Sequence, residues 1–174
     1  MSIDNATQKF DEQNFRNRMN SIGKLSSFTV LVTIKVENLT GVYNPVLMSQ
    51  GTKRSGLVWN MTRRGSMIFG LLGIGTYETP IVFTGDALGE WTQIGLSIDN
   101  AKNLAGVYVN GDLIGSGKIS NFTPVDFGKL EIGNWKLKDN AWQPNGAIES
   151  IMIFDRVLEM TEIRKEAAEP VAAK

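Results

Sequence analysis

The sequence predicts an all-β chain: an antiparallel two-sheet β-sandwich with a short C-terminal helix. About ten short runs rich in β-branched and aromatic residues favour this fold, as do the turn residues between them. The clearest turn is Asn110-Gly111, between the runs 104–109 and 112–118. Asn-Gly supplies the two positive-φ residues of a type I′ turn, whose twist matches that of paired antiparallel strands.

The N-terminal segment, residues 1–26, is predicted to be an arm or an irregular first strand, because its apolar residues fit either a short helix or a strand. The sandwich is predicted over residues 27–168, and residues 169–174 are predicted to be a tail. The strands expected in chain order are 28–36, 45–49, 56–61, 66–72, 81–83, 91–98, 104–109, 112–118, 129–133 and 147–154, followed by a helix over 159–168.

Composition excludes several classes of site. The chain has 174 residues, of which 42% are hydrophobic, enough for one domain with a sizeable core. It contains no Cys and no His, which removes thiol and imidazole catalysis and the commonest zinc, copper and nickel ligands. Lys plus Arg and Asp plus Glu number 18 each, so no overall field attracts nucleic acid or an anionic membrane.

Neither a secretory signal nor a transmembrane segment is predicted. Residues 1–10 are polar and acidic, whereas a signal begins with basic residues followed by an apolar stretch. No apolar run approaches the roughly 20 residues that span a bilayer. Insertion into a membrane is therefore not expected, and this pattern leaves the localisation unknown.

Short motifs stand along the chain in a characteristic order. They are Phe28-Thr29-Val30, Asn44 to Ser49, Gly89-Glu90-Trp91, Val107-Tyr108-Val109-Asn110-Gly111, Leu130-Glu131-Ile132-Gly133, Gly146 to Phe154, and Arg156-Val157-Leu158 with Glu162-Ile163. This ordered set resembles the concanavalin A-like lectin and laminin-G-like β-sandwich family over about residues 27–165. The resemblance implies a jelly-roll sandwich in which Trp91, Tyr108 and Phe154 pack in the core.

The resemblance also implies a non-catalytic lectin-like module that is glycan-binding or adhesive. Relatives of this fold include glycosidases, which need two carboxylates about 5–9.5 Å apart across a cleft. The predicted strands offer no two acids on one face at that spacing, since Glu131 and Glu149 each stand alone among apolar neighbours. A glycoside hydrolase is therefore the least favoured interpretation, and no catalytic residue is assigned.

The segment 134–145 is predicted to bind the ligand. Sugars stack an apolar ring face on an aromatic side chain and pair their hydroxyls with amides and carboxylates. The segment offers both kinds of group, although its tryptophans could instead close the end of the sandwich. The predicted ligand-binding residues are Trp135 and Trp142 for stacking, and Asp139, Asn140 and Gln143 for hydrogen bonding.

A predicted hairpin carries a secondary interaction patch formed by Trp59, Asn60, Arg63 and Arg64. Its two arginines would suit an acidic partner surface, and a solvated hairpin tip explains the same residues equally well.

No metal ligand and no cofactor is assigned, but calcium stays open because it takes oxygen ligands. Related folds often bind calcium at a loop rim. The residues considered for it are Asp99, Asn100, Asn103 and Asp112, for which turn formation is the simpler explanation.

Two functions follow as hypotheses. The first is a glycan-binding module whose partner is a glycan or a protein surface. The second, compatible with the first, is a structural or decoration protein on a phage virion, with homo-oligomer or virion neighbours as partners. Both favour the virion surface or an extracellular site over a cytoplasmic one, and neither involves nucleic acid.

Overall fold

Antiparallel pairing organises the chain, as the sequence predicts. The computed structural model describes residues 12–49, 56–71, 74–120, 124–133 and 145–168. These residues form two five-stranded sheets, a two-stranded ribbon and two helices. In chain order the elements are α1 (Glu12–Ile22), β1 (Lys24–Leu25), β2 (Phe28–Asn38), β3 (Tyr43–Ser49), β4 (Leu57–Thr62), β5 (Met67–Leu71), β6 (Gly75–Glu78), β7 (Trp91–Asp99), β8 (Leu104–Val109), β9 (Asp112–Lys118), β10 (Val125–Asp126), β11 (Leu130–Ile132), β12 (Asn145–Phe154) and α2 (Met160–Ala168).

The two sheets stack with their apolar faces together. The first sheet has the order β12-β2-β7-β8-β9, and the second has the order β11-β3-β4-β5-β6. Since side chains alternate along a strand, every second residue points into the space between the sheets. This inner layer includes Val32 and Leu96 from the first sheet and Trp59 and Phe69 from the second, all fully buried. The predicted two-sheet sandwich is confirmed.

Two predicted hairpins are present. Asn110 and Gly111 have φ angles of 48° and 87°, so the Asn-Gly pair joins β8 to β9 with the positive-φ geometry that the sequence predicts. β4 and β5 are joined around Arg63 and Arg64, where the Thr62 N–H donates to the Ser66 carbonyl at 2.8 Å. Both connections therefore follow from local turn chemistry.

The predicted strand over 81–83 is wrong. The N–H groups of Val82 and Phe83 both donate to the carbonyl of Gly65, at 2.9 and 3.0 Å, so this segment binds the β4–β5 turn and joins no ladder. Phe83 is nevertheless 2% exposed, because it closes the core from this irregular segment. The short strand β6, which is not among the predicted strands, pairs with β5 and forms the edge of the second sheet.

The N-terminal segment contains a helix followed by a short strand. α1 buries Met19 to 5% exposure against the core, and β1 pairs with β10. Nearby, the rings of Phe28 and Phe127 meet edge to face with centroids 5.1 Å apart. Residues 12–25 are thus packed on the sandwich, whereas residues 1–11 lie outside the described ranges.

The predicted C-terminal helix is confirmed, and it covers the outer face of the first sheet. A second apolar cluster forms there from Leu31, Tyr108, Leu158 and Ile163. The Leu158 N–H also donates to the Thr29 hydroxyl on β2 at 2.9 Å. Neither α1 nor α2 has the length and apolar character needed to cross a membrane.

One end of the sandwich gathers the ends of many strands. β2, β4, β6, β8 and β11 finish there, and β3, β5, β7, β9 and β12 begin there, as their antiparallel registers require. Trp91 begins β7 at this end, which is called the Trp91 end below. Connections at one end of a rigid sandwich are common places for binding residues.

A bidentate ion pair holds the start of α2. Arg156 Nη1 and Nη2 donate to the two carboxylate oxygens of Glu162 at 2.8 and 2.7 Å, and the Glu159 N–H donates to the same carboxylate at 2.9 Å. The pKa of Glu162 is lowered from 4.5 to about 2. The hydrogen bonds from Arg156 are the largest cause, and the one from the Glu159 N–H is the second. The pair is at the surface, so its stabilising effect is modest.

This pair predicts a pH dependence of stability. As the pH falls, Glu162 is protonated at a higher pH in the unfolded state than in the folded state. The stabilisation by the ion pair is therefore present above about pH 4.5 and is lost as the pH falls toward about 2. Urea unfolding followed from about pH 6 to about pH 2 is expected to lose less stability in Glu162→Gln than in the wild type. The control is Glu90→Gln, outside α2, whose free energy of unfolding should change with pH as that of the wild type does. If the free energies of unfolding of Glu162→Gln and the wild type change equally with pH, the role assigned to Glu162 is contradicted.

Candidate functional site

The predicted ligand-binding residues fall in a part of the chain that the structure does not describe. This undescribed part begins after Gly133 and ends before Asn145. They remain predictions and are Trp135, Asp139, Asn140, Trp142 and Gln143.

The described residues on either side of this undescribed part lie at the Trp91 end. Its preceding residue, Gly133, donates its N–H to the Val46 carbonyl at 2.9 Å, beside the start of β3. Asn145, the last residue of the predicted segment, pairs with Asn38 at the end of β2. Gly133, beside the second sheet, and Asn145, on the first sheet, therefore both lie at the Trp91 end.

The secondary interaction patch is not a single surface. Trp59 is fully buried and Asn60 is 5% exposed, so neither side chain is available to a partner. Trp59 lies on the inner face of β4, opposite Leu47 and Phe69 on the neighbouring strands. Its indole Nε1, like the Asn60 side-chain oxygen, has no hydrogen-bond partner. The hypothesis of a combined patch is therefore wrong for these two residues, because strand alternation turns Trp59 into the core.

The two arginines of that patch are exposed. Arg63 and Arg64 occupy the β4–β5 turn, and the Arg63 N–H donates to the Val42 carbonyl at 3.3 Å. The turn lies at the Trp91 end, so this basic hairpin and the anchors of the predicted binding segment share one end of the sandwich.

Trp91 is not a core residue, contrary to the sequence-based interpretation. It is 37% exposed, while Ile94, Leu96 and Ile98 on the same strand are fully buried. These three have even numbers and face inward, so the odd-numbered Trp91 faces outward. Strand alternation in the sequence carries this signal, and the motif-based interpretation overlooked it. Tyr108 and Phe154 do pack in the second apolar cluster.

Exposed apolar side chains are concentrated at the same end. Six large hydrophobic residues are exposed in the described part of the chain, and four of them lie in connections or strand starts at the Trp91 end. These four are Val42 (60%), Ile81 (57%), Leu88 (37%) and Trp91 (37%). With the neighbouring Arg63 and Arg64, they give this end both apolar and charged groups, which is typical of a recognition surface.

The residues considered for calcium do not come together. Asp99, Asn100 and Asn103 lie where β7 turns into β8, whereas Asp112 starts β9 at the Trp91 end. The length of β8 separates them by roughly 16 Å. Asp99 Oδ1 accepts the Lys102 N–H at 3.0 Å, and Asp99 Oδ2 lies 3.3 Å from Lys102 Nζ. The carboxylate of Asp99 thus stabilises a turn, which was the simpler explanation.

The acidic residues of the described ranges are dispersed. No three Asp or Glu side chains gather there into a group that could hold a metal ion. Glu131 lies on β11 in the second sheet, and Glu149 lies at a bulge of β12 in the first sheet. This arrangement offers hydrogen-bond acceptors at separate places on the surface.

A family model described as the concanavalin A-like lectin/glucanases superfamily matches residues 10–164. None of the curated protein sequences compared with the chain is a significant match. Similar folds occur among solved structures at low sequence identity.

One similar structure is the CBM40 of the Ruminococcus gnavus IT-sialidase bound to α2,3-sialyllactose, with 16% identity, a TM-score of 0.67 and 86% coverage of both chains. The heptameric SAP-like pentraxin from Limulus polyphemus is 15% identical with a TM-score of 0.64, covering 84% of this chain and 71% of the pentraxin. The NanB sialidase from Streptococcus pneumoniae is 16% identical with a TM-score of 0.71; the match covers 87% of this chain and 25% of the sialidase. At these identities the likeness shows the fold.

Trp59 and the arginines are expected to respond differently to substitution. Trp59→Ala should lower the free energy of unfolding by about 3–5 kcal/mol, because it removes a large side chain from a packed interior. Arg63→Ala and Arg64→Ala should each change it by less than about 0.5 kcal/mol, because both residues are exposed. Urea unfolding measures all three, and a small loss for Trp59→Ala would contradict its place in the core.

Proposed function

We propose that this chain, which belongs to the concanavalin A-like lectin/glucanases superfamily, is a glycan-binding module without catalytic activity. The observation that carries the proposal is the extent of the match with a carbohydrate-binding module. The CBM40 of the R. gnavus IT-sialidase, whose structure contains α2,3-sialyllactose, matches over 86% of both chains. The likeness therefore extends over nearly the whole length of a domain that binds a sugar.

The match with a larger protein takes in only one part of it. The match with the NanB sialidase covers 87% of this chain but only 25% of the sialidase chain. The sialidase is therefore about four times the matched length, which supports likening this chain to one part of such a protein. The sequence also lacks His and Cys, and the acids of the described strands are dispersed.

The Trp91 end is the proposed location of the glycan site. It holds Gly133 and Asn145, which flank the residues Trp135 and Trp142 that are proposed to stack against sugar rings. Asn145 begins the ladder of β12 and Gly133 directly follows β11, so both flanking residues are attached to a rigid frame. Sites of this kind combine aromatic surfaces with a small number of polar groups that fix orientation.

A role on the surface of a phage virion, or another adhesive role outside the cell, is a narrower proposal within the same function. It is supported by a sandwich without Cys, which needs no compartment that forms disulfides. Light scattering of the purified chain tests it, with assembly into oligomers expected and a strict monomer counting against it. Capsid or tail genes beside its gene would support the virion, and genes of a different kind would count against it.

A glycan array tests the main proposal. The wild type is expected to bind a subset of oligosaccharides, and Trp135→Ala or Trp142→Ala should weaken that binding at least about tenfold by removing a stacking surface. The matched control is Leu104→Ala, which trims an exposed apolar residue at the opposite end of the sandwich. An array without wild-type binding would overturn the function, whereas unchanged binding by both tryptophan variants would overturn the predicted residues.

A further inference from the structure

Trp91 is an exposed aromatic side chain on a rigid strand. Its backbone lies in the first sheet, where it pairs with Lys35 of β2. Farther along the same outer face, α2 covers the sheet, and the Gln93 side-chain amide donates to the Glu166 carbonyl at 3.1 Å. Gln93 is 9% exposed, whereas Trp91, two residues earlier on the same face, is 37% exposed. The cover provided by α2 therefore ends between these two residues.

The surroundings of Trp91 are polar and open. Lys35 lies beside it on the outer face, and Lys35 Nζ is 4.0 Å from Glu37 Oε1. The side chains of Lys35 and Glu37 are 34% and 55% exposed, so both reach solvent. On the far side of Lys35, the paired residue on β12 is the small and exposed Ala147. The row Ala147–Lys35–Trp91 thus crosses three strands and ends at an indole ring.

This combination matches the chemistry of a sugar subsite. An indole face provides apolar area for the C–H groups of a pyranose ring, and its cost in conformational entropy is low. An ammonium donates hydrogen bonds to hydroxyls, and a carboxylate accepts them. Lys35 and Glu37 carry opposite charges side by side, so together they have no net charge with which to select an anionic sugar.

We infer that Trp91 stacks against a neutral hexopyranose residue of the bound glycan, with Lys35 and Glu37 hydrogen-bonding to its hydroxyl groups. The inference rests on the proposed glycan-binding function and adds a subsite on the first sheet to it. Asn145, the last residue of the predicted binding segment, pairs with Asn38 three positions beyond Lys35 on the same strand. The subsite therefore lies at the same end of the sandwich as Asn145.

The test compares Trp91→Ala with the wild type on an array of lactose, both sialyllactoses, cello-oligosaccharides and chito-oligosaccharides. The array compound with the strongest wild-type signal is then titrated calorimetrically. Trp91→Ala is expected to weaken its affinity at least about tenfold, and Lys35→Ala by about threefold to tenfold. Trp91→Phe keeps an aromatic face and should lose less than Trp91→Ala.

The matched control is Leu104→Ala, because Leu104 is 38% exposed, nearly the same as Trp91, but lies at the opposite end. Its affinity should equal that of the wild type. Urea midpoints of all variants show whether they fold. If Trp91→Ala does not fold, the affinity loss of about threefold to tenfold expected for Lys35→Ala decides the question.

The outcomes separate this inference from the proposed function. If Trp135→Ala or Trp142→Ala loses binding while Trp91→Ala and Lys35→Ala bind like the wild type, the subsite is overturned and the glycan-binding function stands. If the wild type binds no oligosaccharide on the array, both are overturned. Loss of affinity in the Trp91 and Lys35 variants, with Leu104→Ala unchanged, supports the subsite.

Discussion

Contact between the apolar inner faces of the two sheets is the interaction on which the rest of the structure depends. The chain has no Cys, so no disulfide helps to hold the sheets together. Burial of large side chains does so instead, with Trp59 and Phe69 from one sheet packed in the same core as Val32 and Leu96 from the other. Because side chains alternate along each strand, this core also determines which residues face outward.

The two outer faces then differ in what covers them. On the first sheet, α2 lies over Leu31 and Tyr108, so an amphipathic helix protects the middle of that face. Its cover ends near Gln93, and Trp91 is left at the edge with one third of its surface in solvent. An exposed indole is thus a consequence of two constraints: the register of β7 in the sheet and the length of the helix above it.

The same architecture gathers the functional candidates. The antiparallel order brings many connections to one end, where four exposed apolar residues, the Arg63–Arg64 turn and both anchors of the predicted binding segment occur together. The sandwich gives these connections a rigid base, and its core residues are buried away from that surface. A binding module can therefore vary its surface while the packing between the sheets stays intact.

The sequence by itself determined the features that depend on local patterns of residues. Runs of β-branched residues predicted the sandwich, the Asn110-Gly111 pair predicted its hairpin, and the composition after Phe154 predicted the terminal helix. These features depend on neighbouring residues, so the sequence displays them directly. The aromatic and polar residue types of the segment that contains Trp135 and Trp142 are also read directly from the sequence. Its role as a binding site stays a prediction.

Only the tertiary structure decided which of the patterned residues are reachable from solvent. Strand alternation turns Trp91 and Gln93 to the same outer face, but only the tertiary structure shows that α2 covers Gln93 and leaves Trp91 37% exposed. Likewise Val82 and Phe83 have the composition of a strand, but a turn distant in sequence takes their backbone hydrogen bonds. The physical reason is that exposure and pairing depend on contacts between residues far apart in the chain, which local propensity does not specify.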